Sequence, residues 1–84
     1  MPLIYIGKLN RIKVFVTPYC QRRLRLRNLN SREVLQILSK RDISYPVDED
    51  GRQKIRSTIG LDKKVFLTIL EDSTKIIVIT GGEA

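Results

Sequence analysis

Residues 17–40 read TPYCQRRLRLRNLNSREVLQILSK, and this stretch decides the fold because it carries the start signals of two helices. Thr17 can serve as the N-cap of the first helix, with Pro18 at its first position. Glutamine, arginine and leucine then favour a helix. The alternation of arginine and leucine over residues 23–27 is also typical of a strand, so two structures compete there. We predict a helix over residues 19–27.

A second helix is predicted over residues 31–40. Asn30 and Glu33 match a capping box, in which each side chain accepts a hydrogen bond from the other residue's backbone N–H. Apolar residues then recur at i, i+3 and i+4, which places their side chains on one face of a helix. These residues are Val34, Ile37 and Leu38.

Outside this helical stretch the pattern changes to the period of two that is typical of strands. Residues 3–6 and 11–16 predict an N-terminal hairpin. After the helices we predict four strands, of which the last two are near-continuous apolar runs that form a central hairpin and place Phe66 in the core. Gly81 and Gly82 are interpreted as a flexible tail. The four strands cover residues 43–47, 53–59, 65–70 and 75–80.

The order of elements is therefore ββ-αα-ββββ, and the predicted fold class is α+β. We expect both helices to pack on one face of a twisted antiparallel sheet, with residues 43–80 as its meander. The 84 residues leave room for a single domain, which spans residues 1–84.

The charge of the chain points to a polyanionic partner. Sixteen lysines and arginines stand against nine acidic residues, which gives a net charge of +7. Such an excess favours nucleic acid, with an anionic membrane surface as the second choice. No apolar run approaches the roughly 20 residues that span a bilayer, and the N-terminal residues do not resemble a secretory signal. We therefore predict a nucleic-acid partner and no membrane partner.

The scarcity of histidine and cysteine limits the metal sites and catalytic groups that this chain can form. The chain has no histidine and a single cysteine, Cys20. This removes the commonest metal ligand and any thiolate zinc cluster. We predict no metal, no cofactor and a cytoplasmic location, which suits a lone thiol. Cys20 itself is expected to be a small buried hydrophobe.

Two arginines stand out on the first predicted helix. At 100° per residue, Arg23 and Arg27 fall in the same arc as the apolar side chains of residues 19–27. Burying arginines in this arc costs desolvation free energy unless an anion pairs with their guanidinium groups. One interpretation is a partly enclosed phosphate-binding pair. The other is that they pair with Glu33, Asp42 or backbone carbonyls, or extend along the boundary to water.

A second basic group lies on the predicted sheet. Arg52, Lys54 and Arg56 alternate along one strand, so their side chains point to the same face. Such a stripe can meet a phosphate backbone, whereas in most proteins it is a solvated sheet face. The candidate nucleic-acid-binding residues are Arg22, Arg25, Arg27, Arg52 and Lys54.

Residues 17–34 resemble a signature of small toxin relatives of the RelE and BrnT type. Arg23 falls at an arginine position of that signature, and Tyr19 falls at its histidine position. The helices followed by a meander also resemble the barnase–EndoU–colicin–RelE fold, over about residues 11–80 at the level of element order. The departure at Tyr19 removes the histidine that could supply acid–base chemistry in those relatives.

This resemblance implies a metal-independent endoribonuclease, because RelE-type nucleases work without histidine, using arginine, lysine and tyrosine. Tyr19 would act as acid or base when an RNA 2′-hydroxyl attacks the adjacent phosphate. Arg23 and Arg56 would stabilise the charge of the phosphorane. RNA is thus expected ahead of DNA as the partner. An antitoxin or a second copy of the chain would be the protein partner.

Two other functions stay open, so the sequence does not decide whether the protein is an enzyme. A nuclease needs Tyr19 to converge with at least two arginines around a cleft. A non-catalytic nucleic-acid-binding module needs only a continuous basic face. A protein-interaction module would pair an exposed edge strand with a partner.

Overall fold

A computed structural model describes residues 2–83 of the chain. It is α+β, and its elements follow the predicted order ββ-αα-ββββ. The strands form one sheet in the order β1-β2-β6-β5-β4-β3. The elements are β1 (Ile4–Leu9), β2 (Ile12–Val16), α1 (Pro18–Leu26), α2 (Ser31–Lys40), β3 (Ile43–Ser44), β4 (Arg52–Ile59), β5 (Lys63–Glu71) and β6 (Lys75–Glu83).

The sheet is mixed, so the prediction of an antiparallel sheet is wrong for one pair of strands. β2 runs parallel to β6, with Val14 opposite Ile76 and Val16 opposite Val78. The other four pairs are antiparallel. Parallel strands need a long connection, which α1, α2 and three strands supply here. β6 lies between β2 and β5 and pairs with a strand along both of its edges. A central place of this kind suits a strand that is mostly apolar.

Both predicted helix starts are confirmed. Thr17 Oγ1 accepts a hydrogen bond from the backbone N–H of Cys20 at 3.0 Å. The Asn30 side chain accepts one from Glu33 N at 2.8 Å, and the Glu33 carboxylate accepts one from Asn30 N at 3.1 Å. These caps satisfy backbone donors that have no partner inside the helix. The signals that predicted the helices therefore act locally, as expected.

Both helices and one face of the sheet share a single buried core. On β4 this core face carries Ile55, Ser57 and Ile59, and the Ser57 hydroxyl donates to the carbonyl of Ile37 on α2 at 3.3 Å. α1 contacts β6, and α2 contacts β4 and β1. The core residues are Val14, Val16, Cys20, Leu24, Leu29, Val34, Ile37, Leu38, Ile55, Ile59, Val65, Leu67, Ile69, Ile76 and Val78.

The alternate strand residues point to the other side of the sheet, which we call the open face because neither helix contributes to it. No helix among residues 2–83 is long and apolar enough to cross a membrane. The open face carries Tyr5, Lys8, Lys13, Phe15, Ile43, Arg52, Lys54, Arg56, Thr58, Lys64, Phe66, Thr68, Leu70, Lys75, Ile77, Thr80 and Gly82.

The C-terminal glycines belong to the sheet, so their interpretation as a flexible tail is wrong. Gly81 and Gly82 are buried within β6. A Cβ added to Gly81 would lie 2.7 Å from Leu67 Cδ2 and 3.3 Å from the carbonyl oxygen of Phe66. It would also lie 3.5 Å from Leu24 Cδ2 on α1. Glycine leaves room here for neighbouring groups that approach the backbone closely.

Two other local predictions are also corrected. Phe66 lies on the open face rather than in the core, because Val65 and Leu67 on either side of it are buried. The strand predicted over residues 43–47 ends at Ser44. Pro46 has no N–H to donate to a ladder, which limits the pairing of this segment with β4.

Candidate nucleic-acid interface

Tyr19 and Arg23 lie side by side on α1, one helical turn apart. Arg23 Nη1 donates a hydrogen bond to Tyr19 Oη at 3.3 Å, and its guanidinium carbon lies 5.7 Å from the centroid of the Tyr19 ring. Arg23 Nε is buried and makes no hydrogen bond. The structure thus brings together two of the three residues predicted to be catalytic.

The two carboxylates considered as arginine partners are engaged elsewhere. Glu33 caps α2, and Asp42 accepts a hydrogen bond from Thr58 N at 3.1 Å. Arg41 forms a salt bridge with Glu71, with Nη2 and Oε2 2.7 Å apart. That pairing lowers the pKa of Glu71 through hydrogen bonds from the Arg41 guanidinium.

The arginines of α1 differ in exposure. Arg23 is half-buried, whereas Arg27 is exposed at the end of the helix. Arg22 and Arg25 are exposed too. Arg23 and Arg27 therefore do not form an enclosed phosphate-binding pair, because only Arg23 is partly buried.

Arg56 does not join Tyr19 and Arg23. It lies on the open face, whereas α1 contributes to the core on the other side of the sheet. A hollow of about 250 Å³ beside α1 is lined by Arg25 but by neither Tyr19 nor Arg23. Arg56 lines a different hollow, together with Asp42 and Lys64 among others. Neither of these two hollows is lined by a tyrosine and two arginines that could meet one phosphate.

The register of the sheet arranges the open face in rows that cross the strands. Neighbours within a row are directly opposite each other on adjacent strands. A mainly apolar row consists of Tyr5, Phe15, Ile77, Leu70 and Arg52. Beside it, a row of lysines consists of Lys8, Lys13 and Lys75. Further rows contain Thr80, Thr68 and Lys54, and then Gly82, Phe66, Arg56 and Ile43.

The open face is strongly basic. None of its strand residues within 2–82 is acidic, because the nearby acidic residues lie in turns and loops or, like Glu71, face the helices. The strand residues of this face therefore carry a net positive charge, which suits a phosphate chain. The basic residues of this face are Lys8, Lys13, Arg52, Lys54, Arg56, Lys64 and Lys75.

Aromatic rings lie among these cations. Tyr5 and Phe15 form an edge-to-face pair with ring centroids 5.6 Å apart. Lys54 Nζ lies 4.6 Å from the ring centroid of Phe66 and 6.0 Å from that of Tyr45. Tyr45 follows β3 and reaches this face through Lys54, whereas Tyr19 lies on α1, away from the open face.

Most of this surface was not among the predicted site residues. The sequence pointed to Arg52, Lys54 and Arg56 because they alternate within one strand, and the structure places all three on the open face. The alternation of Lys13 and Phe15 with buried valines is a similar signal in β2. Alternation alone does not show that β2 and β4 belong to the same sheet, since that depends on strand order.

Cys20 lies on α1 with its thiol in the core, where burial lowers the reactivity of the thiol. The thiol is fully buried, and burial raises its pKa to about 11, against an opposing effect of the Arg23 charge. We expect the native protein to react slowly with a thiol reagent at pH 8 and rapidly in denaturant, because the thiolate is the reactive form. Fast stoichiometric labelling of the native protein would contradict the burial of this side chain.

Comparison of the chain with protein families, curated proteins and solved structures finds no match in any of the three. The resemblance of residues 17–34 to RelE-like toxins therefore stays a prediction. Within residues 2–83, no cluster of three or more histidine, cysteine or acidic residues could hold a metal ion. The open face and the Tyr19–Arg23 pair remain as the features from which function can be argued.

Proposed function

We propose that this protein binds nucleic acid through the open face of its sheet, as a non-catalytic module. The observation that carries the proposal is the gathering of seven basic side chains on a face without acidic strand residues. Contacts to phosphates supply most of the affinity of proteins for nucleic acids. RNA comes ahead of DNA in this proposal because of the resemblance of residues 17–34.

Catalysis is less well supported than binding. The nuclease hypothesis needs Tyr19, Arg23 and Arg56 around one phosphate, and these residues lie on two sides of the sheet. A binding module requires no such convergence. It requires a surface of the right charge, which the basic side chains of the open face supply.

Pairing of an edge strand with a partner protein is also less well supported. At one edge, β1 carries an irregularity between Tyr5 and Gly7, and Lys8 lies beyond it. Bulges and lysines are devices that keep edge strands from pairing with other chains. At the other edge, Lys40 Nζ donates to Thr58 O at 2.7 Å, and Asp42 accepts from Thr58 N. These contacts occupy backbone groups of β4 that a partner strand would need.

A salt titration tests the proposal. We expect a fluorescently labelled RNA to bind at about 50 mM salt, with an affinity that falls steeply as salt rises, because bound phosphates release counterions. Fluorescence anisotropy would measure the slope of log K against log salt, which is about −0.7 for each phosphate contacted on a single strand.

Two results would contradict the proposal. Absence of binding at about 50 mM salt, or a flat salt response, would remove nucleic acid as the partner. The same samples, analysed on a gel, should contain intact RNA. Cleavage that disappears in Tyr19→Phe would instead favour the nuclease hypothesis, because this change keeps the ring and removes only the group that transfers a proton.

A further inference from the structure

The rings of Tyr5 and Phe15 form a small aromatic surface at one end of the open face. They are directly opposite each other on β1 and β2, and their centroids are 5.6 Å apart. Tyr5 is 51% exposed, although its partner keeps it in place. A half-exposed ring fixed at the edge of a basic face offers an apolar area to a planar ligand.

From this arrangement we infer that the open face binds single-stranded rather than duplex nucleic acid, with bases stacked on Tyr5 and Phe15. The inference rests on the proposed function and adds the class of substrate. Stacking on aromatic side chains requires bases whose faces are free, as they are in single strands. In a duplex, neighbouring bases already cover those faces.

The lysine row places charge where the backbone of a stacked strand would run. Lys8 and Lys13 are opposite each other, and Lys75 is opposite Lys13. Along β2, Lys13 lies two residues from Phe15, which corresponds to about 7 Å. A base on the aromatic pair and phosphates on the lysines would therefore lie side by side on adjacent rows.

The other aromatic residues of the open face are less available for stacking. Lys54 Nζ lies over Phe66 at 4.6 Å and near Tyr45 at 6.0 Å, so a cation already occupies the space between these rings. Lys54 would still contact phosphate from there. The pair formed by Tyr5 and Phe15 is thus the first place to expect a base.

The shape of the face also argues against a duplex. Duplex readers insert a helix or a two-stranded ribbon into the major groove of DNA. Here both helices contribute to the core on the opposite side, and the residues in question lie on a broad sheet. A-form RNA closes its major groove to side chains altogether. A sheet surface suits a strand that lies across it.

The experiment compares Tyr5→Ala with Tyr19→Ala. Both tyrosines are 51% exposed, but Tyr19 lies on α1, away from the open face. The probes are labelled single strands of about 12 nucleotides, as RNA and as DNA, and the duplexes of the same sequence. We expect Tyr5→Ala to weaken single-strand binding about 5- to 150-fold, the range that corresponds to one stacked base.

The control variants and the other probes distinguish stacking at position 5 from a general loss of binding. Tyr19→Ala should bind single strands as the wild type does, since it leaves the ring at position 5 in place. Tyr5→Phe should restore the affinity that Tyr5→Ala loses, because it returns an aromatic ring to that position. The duplex should bind more weakly than the single strand at equal salt, and Tyr5→Ala should not change its affinity. An oligomer with abasic sites throughout should bind wild type about as weakly as Tyr5→Ala binds the normal strand.

Failure of the inference differs from failure of the proposed function. If salt-dependent binding persists but Tyr5→Ala has no effect, or if the duplex binds as tightly as the single strand, the inference is overturned and the proposed function stands. If no probe binds, both fall. Should Tyr5→Ala not fold, as judged by circular dichroism, Phe15→Leu replaces it, because leucine keeps apolar bulk on β2 without a ring.

Discussion

Leu38→Ala should lower the free energy of unfolding by about 2–5 kcal/mol. Leu38 is 1% exposed on α2 and belongs to the core that this helix shares with the sheet. Removing most of its side chain loses apolar burial and leaves a cavity that a close-packed interior fills only in part. A domain of this size is stable by about 4–13 kcal/mol, so the loss would be a large part of the total.

Urea denaturation followed by circular dichroism would measure this change, with Leu26→Ala as the matched control. Leu26 is also a helical leucine, but it is 85% exposed at the end of α1. We expect that variant to stay within about 0.5 kcal/mol of wild type. Equal losses in the two variants would mean that α2 does not pack on the core as described.

Replacing Arg52, Lys54 and Arg56 together by glutamine should weaken RNA binding by about tenfold or more. All three side chains lie on the open face, in a strand whose other side packs against α2. If each contacts one phosphate, the slope of log K against log salt should become shallower by about 2. The melting temperature should change little, because none of the three belongs to the core.

The control for this variant removes the same charge from the other side of the molecule. Arg22, Arg25 and Arg32 are exposed on α1 and α2, and their replacement by glutamine also removes three positive charges. We expect this second triple variant to keep most of the affinity and the salt slope. If both variants lose affinity equally, binding follows net charge, and the open face is not the interface.

Local signals explain why the helices could be predicted. The cap at Thr17 and the capping box of Asn30 and Glu33 join atoms within three residues of each other. At residues 23–27 the alternation of arginine and leucine was compatible with a strand as well as with a helix. The helix forms there with Thr17 as its cap, and it buries Leu24 while leaving Leu26 85% exposed.

Part of the candidate site was also visible in the sequence. Alternation within β4 was enough to place Arg52, Lys54 and Arg56 on one face. Angular positions on a helix were enough to bring Tyr19 and Arg23 together. In both cases the residues are neighbours along a single element, so the period of that element decides where they point.

The sequence by itself determined the two helices, the order of elements, the class α+β and the excess of positive charge. Only the tertiary structure decided that β6 lies between β2 and β5, which turns part of the sheet parallel and buries Gly81. That insertion also joins the lysines and rings of the N-terminal hairpin to the basic stripe of β4 in one sheet. The physical reason is range: caps and periodicity act over a few residues, whereas strand order depends on burying apolar strands that are distant along the chain.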